Sequence, residues 1–121
     1  MSVKNVQLLP ERDLALIVTE PSVAGIHDLA RALETTAYFR IPALVLINKA
    51  DIYPAGTAQI EATCTGAGIE VIGSIPFDPA VTTAMLNGEP VTAYQPEAPA
   101  SQAMLAAWQS VAARLNGENP R

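Results

Sequence analysis

The sequence of 121 residues holds only one cysteine and one histidine. The single cysteine, Cys64, excludes a framework of internal disulfides and fits a reducing, cytosolic setting. Because Cys64 and His27 are far apart in the sequence, they cannot assemble a conventional zinc site. Basic residues are also few: seven Lys and Arg against twelve Asp and Glu give a formal net charge of −5. This balance argues against nucleic acid or an anionic membrane as the partner.

Long apolar runs and targeting signals are missing as well. The longest apolar run, residues 41–47, contains Pro42 and falls far short of the roughly 20 residues that span a membrane. The N-terminal MSVKNVQLL lacks the basic start and apolar core of a signal peptide. Half of the residues are hydrophobic, enough for one modest core. We therefore expect one cytoplasmic domain over residues 1–121, without membrane insertion and with a flexible tail at 116–121.

Three short apolar runs, at residues 14–19, 43–48 and 69–74, alternate with stretches of helical character. The first two are nearly continuous in Leu, Ile and Val, as is typical of strands buried on both faces of a parallel sheet. Between them, apolar residues at spacings of three and four predict one face of a helix, formed by Val23, Ile26, Leu29, Ala30, Leu33 and Ala37. The alternation predicts an α/β fold of three layers, a mostly parallel sheet flanked by helices.

Glycines and prolines predict where the later elements begin and end. A short helix is expected at 57–65, stopped by Gly66 and Gly68, and another at 80–86, with Pro79 in its first turn. A last helix at 100–115 carries an apolar stripe that is most simply core, or a docking face if exposed; its members are Ala103, Met104, Ala107, Trp108, Val111, Ala112 and Leu115. Since three strands leave open edges, residues 3–9 are a candidate for a fourth.

The stretch LVLINKAD, residues 44–51, runs from a strand directly into Asn-Lys-x-Asp. Ligands of open α/β sheets bind at this carboxyl end of the strands. Asn48 can offer a donor and an acceptor to a purine, and Lys49 can lay its aliphatic stem along the ring. Asp51 can accept from two adjacent N–H groups, which guanine has and adenine lacks. The alternative is a simple turn held by Asn48 and Asp51.

The segment IPFD, residues 75–78, follows the next strand and should lie at the same edge of the sheet. Pro76 fixes the backbone and Phe77 supplies a flat surface that could flank a purine; alternatively, the turn is rigid and Phe77 packs into the core. A guanine-specific protein is expected to carry a Ser-Ala-type loop here, so this loop favours adenine. Glu20 and Pro21, at the end of the first strand, are candidates for the edge of the site or for an interface.

Four segments taken together resemble the C-terminal half of the MinD-superfamily P-loop ATPases: DLALIVTEPS at 13–22, GIHDL at 25–29, INKAD at 47–51 and GSIPFD at 73–78. The resemblance is to the branch that often carries a ferredoxin-type iron–sulfur insert, related to Mrp, ParA and the nitrogenase iron protein. It covers residues 12–115 and implies a partial P-loop NTPase or Rossmann-like fold. It also implies ATP held between two subunits, Asn48 bonded to adenine, and Pro76, Phe77 and Asp78 against base and ribose.

The departures from this family are as informative as the likeness. The 121 residues contain no Walker loop and no Asp-x-Pro-Pro-Gly switch, and residues 1–12 form a divergent segment that matches no family motif. The cysteine clusters of the insert are missing too. In such ATPases, backbone amides of the phosphate-binding loop and a lysine contact the phosphates and stabilise the transition state of hydrolysis. The 121 residues contain no loop that could supply these contacts. The chain alone should therefore not hydrolyse ATP and should bind it at about millimolar affinity or weaker.

Three interpretations follow. In the first, the chain is the adenine-side half of a truncated or split MinD-like ATPase. It would form a homodimer or join a P-loop-bearing partner polypeptide, and Mg²⁺ would bind only when that half is supplied. The alternative is a non-catalytic interaction or dimerisation module derived from such an ATPase. The third is a GTPase-like remnant that uses Asp51 for guanine.

Overall fold

The computed structural model describes residues 6–9 and 14–116. Strands and helices alternate along most of this length, as the apolar runs predict. In chain order the elements are β1 (Val6–Leu9), β2 (Leu14–Thr19), α1 (Val23–Tyr38), β3 (Ala43–Asn48), α2 (Pro54–Ala67), β4 (Glu70–Ile75), α3 (Pro79–Leu86), α4 (Val91–Tyr94) and α5 (Pro99–Leu115).

The described strands form one sheet in the order β1-β2-β3-β4. Strands β2, β3 and β4 are parallel, with Leu16 beside Leu44 and Leu44 beside Glu70, and β1 pairs antiparallel with β2. The candidate fourth strand is thus present as β1, although residues 3–5 lie outside the described residues. Because the three parallel strands end at the same edge, the loops that follow them are brought together there.

Helices cover both faces of the sheet, and alternate residues of each strand point to opposite faces. Helices α1 and α2 cover one face over a cluster of Ala15, Ile17, Leu29, Ala32, Leu33, Ala43, Val45, Ile47, Ile60 and Cys64. Helices α3 and α5 cover the other over buried Leu46, Ile75, Ala100 and Ala107, joined by half-buried Leu16, Val18, Ile72, Val81, Ala103 and Met104. The predicted three-layer α/β fold is confirmed.

The buried face of α1 differs from the predicted one. Leu29 and Leu33 are buried as expected, but Val23, Ala30 and Ala37 are exposed. Small residues take their place in the contact with the sheet: Gly25, Ala32 and Thr36 are buried. At Gly25 the reason is close approach to the turn after β2, since an added Cβ would lie 2.2 Å from the carbonyl oxygen of Glu20. A spacing of three and four predicts a helix but does not determine its rotation about its own axis.

Helix α2 is longer than predicted, because it begins at Pro54 and passes through Gly66 before ending at Gly68. Gly68 has φ of 71°, the left-handed conformation that closes many helices, whereas Gly66 is an ordinary helical residue. Strand β4 lies one residue later than predicted. Helix α3 matches its predicted range with Pro79 in its first turn, and the linker at 89–99 contains the short α4.

The interpretation of the α5 stripe as core is confirmed for its buried members Ala107 and Val111 but is wrong for Trp108, whose exposure is that of the alternative, a docking face. Its side chain is 58% exposed, and the buried residues of α5 are smaller: Ala100, Ser101, Ala107 and Val111. Helix α5 lies close to β4, where an added Cβ at Gly73 would lie 3.7 Å from the Cβ of Ala107, so small residues form this contact. Of the predicted tail at 116–121, only Asn116 is described, and its N–H donates to the carbonyl of Ala112.

Candidate functional site

The turn after β3 has an uncommon backbone. Lys49 has φ of 53°, in the left-handed region that few non-glycine residues occupy. The side-chain oxygen of Asn48 accepts from the Lys49 N–H at 3.0 Å, which leaves the side-chain NH₂ pointing away from this contact. The next residue ties the turn to β4, because the Ala50 N–H donates to the Ile75 carbonyl at 2.9 Å. The side chains of Asn48 and Lys49 are thereby presented at the edge of the sheet.

The loop after β4 is held by two carboxylates. The Phe77 N–H donates to Oδ1 of Asp51 at 2.7 Å, across 26 residues of sequence. Oδ1 of Asp78 accepts from the Ala80 N–H at 3.0 Å and caps α3, while Oδ2 accepts from the Ala100 N–H at 3.1 Å at the start of α5. The loop is therefore fixed to the β3 turn and to both neighbouring helices.

Between the two turns lies a cavity of about 240 Å³. Its lining is mostly apolar and includes one side-chain amide, that of Asn48. The lining residues are Asn48, Lys49, Pro76, Phe77, Asp78, Val81, Thr82, Met85 and Met104. Phe77 is 48% exposed and stands beside the opening, so it does not pack into the core. Asp51 is not part of the lining. A largely apolar cleft with a few oriented polar groups is the usual form of a small-molecule site.

Glu20 and Pro21 lie beside this cavity. Oε1 of Glu20 is 3.9 Å from Nζ of Lys49, and both side chains are about half exposed, so the pair contributes little to stability. A second, smaller cavity of about 140 Å³ is lined by Glu20, Pro21, Ser22, Lys49 and Ile52. Pro21 itself is buried against Gly56, where an added Cβ would come within 3.0 Å of the proline. Lys49 borders both cavities.

Comparisons with known proteins identify the superfamily. The cytosolic Fe-S cluster assembly factor Nubp1 homolog of Drosophila grimshawi is 34% identical over 95 residues, which are 69% of this chain and 30% of that protein. The MinD cell division protein of Aquifex aeolicus superposes with a TM-score of 0.66 and 29% identity, over 90% of this chain and 46% of that one. The chain belongs to the MinD superfamily of P-loop ATPases. No model of a known protein family matches it.

A second solved structure that resembles this chain comes from a complex. In the MinC:MinD cell division protein complex of A. aeolicus, the matched chain gives a TM-score of 0.65 and 30% identity over 90% of this chain and 44% of that one. The chain thus spans under half the length of these MinD structures and about a third of the curated relative. Within that span, the likeness to MinD confirms an α/β fold of the P-loop NTPase type.

Sequence reasoning missed the cavity residues that come from helices. Val81, Thr82 and Met85 of α3 and Met104 of α5 complete the lining. Their spacing of three and four from Asp78 is the available signal, because residues that follow a helix N-cap at these intervals share its face. The α5 contribution has no such signal, since Met104 reaches the site through the packing of α5 on the sheet.

Two kinds of feature are absent from the described residues: a cluster of metal-binding side chains and a helix able to span a membrane. Over residues 6–9 and 14–116, His, Cys, Asp and Glu do not gather in any group of three or more that could hold a metal ion. No described helix combines the length and apolar character needed to cross a bilayer. Cys64 lies on the buried side of α2, and burial, together with the charge of Glu61, raises the pKa of its thiol above the usual value of 9.0.

Proposed function

We propose that the described residues form the adenine-binding part of a MinD-like ATPase. The observation that carries the proposal is the cavity between the turns after β3 and β4, bordered by Asn48 on one side and Pro76 and Phe77 on the other. These turns come from adjacent parallel strands, at the edge where α/β sheets bind ligands. Membership of an ATPase superfamily supports a nucleotide as the ligand.

Four of the lining residues have a proposed contact with the base. The side-chain NH₂ of Asn48 would donate to a ring nitrogen of adenine, and the exposed ring of Phe77 would stack on the base. The aliphatic stem of Lys49 and the ring of Pro76 would close the two sides. Asp78 borders the cavity, but both of its oxygens already accept backbone hydrogen bonds, so it would contribute shape and local charge.

Hydrolysis would need a phosphate-binding part that the 121 residues do not contain. They hold no glycine loop ending in Lys-Ser or Lys-Thr, so the chain by itself would bind ATP weakly and would not cleave it. A P-loop-bearing polypeptide would supply the missing contacts, and Mg²⁺ would bind with that part. The relative titled a cytosolic Fe-S cluster assembly factor supports a cytoplasmic location for the assembly. With one cysteine, iron–sulfur ligation is outside this proposal.

The test is an NMR titration of ¹⁵N-labelled protein with ATP, with and without a polypeptide that bears a MinD-type P-loop. We expect the amide signals of Asn48 and Phe77 to shift at about millimolar ATP for the chain alone, and at lower concentrations in the mixture. Asn48→Ala should abolish most of this shift, while Asn116→Ala, at the far end of α5, should leave it unchanged. Unchanged signals at Asn48 and Phe77 in both samples would refute the proposal.

A second candidate function, as an interaction or dimerisation module, is favoured by exposed apolar side chains at the same edge of the sheet. Val23 is 87% exposed, Ile52 is 56% exposed and Tyr53 is 52% exposed, and all three follow β2 or β3. Apolar groups gathered at one edge mark contact surfaces. The surface includes Glu20, which would face a second copy or another partner. Light scattering tests this function: a monomer at high concentration, with and without ATP, would exclude an obligatory homodimer.

A further inference from the structure

We infer that Asp51 is a positioning residue for the adenine pocket and does not read the base. The inference rests on the proposed nucleotide site and assigns different roles to the residues of Asn-Lys-x-Asp. Two members of this tetrad, Asn48 and Lys49, line the cavity, whereas Asp51 does not. Its Oδ1 instead accepts from the Phe77 N–H at 2.7 Å. The carboxylate of the tetrad therefore holds the loop that carries Phe77 and does not line the cavity.

The contact has the geometry of a charge-assisted hydrogen bond, which is shorter and stronger than a neutral one. A second bridge lies beside it, because the Ala50 N–H donates to the Ile75 carbonyl at 2.9 Å. Together the two bridges hold the β3 turn to the loop that carries Pro76 and Phe77. The far end of that loop is fixed by Asp78, which bonds the first turns of α3 and α5. Removing Asp51 would release the loop near Phe77, while Asp78 would still hold its far end.

This arrangement has a consequence for base selection. Guanine presents two adjacent N–H donors, which a carboxylate can accept together. Asp51 lies outside the cavity lining and has Oδ1 occupied, and both oxygens of Asp78 are occupied as well. Guanine donors that lose water without gaining these partners weaken binding. The pocket should therefore favour adenine over guanine by about tenfold, even though the sequence carries a tetrad suited to guanine.

The first measurement needs no ligand: hydrogen exchange of the Phe77 amide, followed by NMR in three proteins. We expect Asp51→Ala to speed exchange by about tenfold relative to the wild type. Asp51→Asn should stay within about twofold, because the carboxamide oxygen also accepts from the Phe77 N–H. Glu34→Ala, which removes an exposed carboxylate from α1, is the control for net charge. Equal exchange rates in all variants would overturn the inference, whatever the fate of the nucleotide proposal.

The second measurement compares ATP, GTP and xanthosine triphosphate in NMR titrations of the same proteins. Asp51→Ala should weaken ATP binding by about fivefold, Asp51→Asn should restore it, and the ratio of ATP to GTP affinity should stay constant. If Asp51 reads guanine instead, Asp51→Asn would selectively weaken the binding of GTP and would strengthen the binding of xanthosine triphosphate, whose ring matches a carboxamide. That result would also overturn the inference. If the wild type binds no nucleotide, the proposed function fails, and hydrogen exchange alone decides the role of Asp51.

Discussion

The two faces of the sheet are built from the same strands but packed to different degrees. On the face covered by α1 and α2, the central side chains are fully buried, with Val45, Ile47 and Ile60 at 0% exposure. On the face covered by α3 and α5, Leu46 and Ile75 are buried, but Leu16 and Val18 of β2 are only half-buried. The candidate nucleotide cavity opens at the carboxyl edge of this second face. Dense packing stabilises one face, and the less completely covered face carries the site.

Adjacent residues of β3 offer the most direct test of this comparison, with the largest expected effect. Ile47→Ala should lower the free energy of unfolding by about 4 kcal/mol, because its fully buried surroundings cannot collapse into the space. Leu46→Ala should cost about 2–3 kcal/mol, since half-buried Met104 and Val18 can move toward the gap. Urea denaturation measures both. Equal losses would contradict the difference between the faces.

The second prediction concerns how the face with the cavity is held together. Asp78→Ala removes the acceptor for two backbone N–H groups, those of Ala80 and Ala100, and should lower the free energy of unfolding by about 2 kcal/mol. The same urea experiment measures this loss. Glu97→Ala, an exposed carboxylate near the start of α5, is the control and should change stability by less than about 0.5 kcal/mol. A loss no larger than that of the control would mean that the loop does not depend on its cap.

The third prediction uses two glycines at the end of α2, on the densely packed face. Gly66 is helical, and an added Cβ would meet nothing within 4 Å, so Gly66→Ala should stabilise the protein by about 0.5–1 kcal/mol. Gly68 has φ of 71°, and Gly68→Ala should destabilise it by about 1 kcal/mol. Thermal denaturation distinguishes the two signs. A stabilising Gly68→Ala would show that α2 does not end in the left-handed conformation described.

The smallest expected effect concerns Cys64, which is buried on the same face and has a raised pKa. Because the thiolate is less favourable in the folded chain than in the unfolded one, stability should be undiminished at pH 7 and fall as pH rises beyond 9. We expect the wild type to lose slightly more stability than Cys64→Ala between pH 8 and pH 10. Urea unfolding at both values measures the difference. A larger loss in Cys64→Ala would reverse the predicted sign.

Elements bounded by strong local signals were predictable from the sequence. Strands β2 and β3 match their apolar runs, because unbroken Leu, Ile and Val residues end abruptly at turn residues. Helix α3 begins at Pro79, which supplies the φ of a first helical turn. The convergence of Asn48 and Pro76 at one cavity also followed from sequence, since parallel strands end at the same edge.

Features that depend on how closely two elements approach were not predictable. The stripe on α5 suggested that all of its members are buried, but Ala107 and Val111 are buried whereas Trp108 is exposed. The bond from Phe77 to Asp51 joins residues 26 positions apart, and no periodicity indicates it. The expected base contacts of Asn48, Lys49, Pro76 and Phe77 stay predictions until nucleotide binding is measured.

By itself the sequence determined the alternation of strands and helices, the parallel direction of the three main strands and the edge at which their polar ends meet. These properties follow from local hydrophobic patterning and backbone preference, which act over a few residues. The tertiary structure decided which side of each helix is buried and which member of the tetrad faces the cavity. Those properties depend on distances between distant segments, where a difference of one or two ångströms in approach selects a glycine or alanine over a larger side chain.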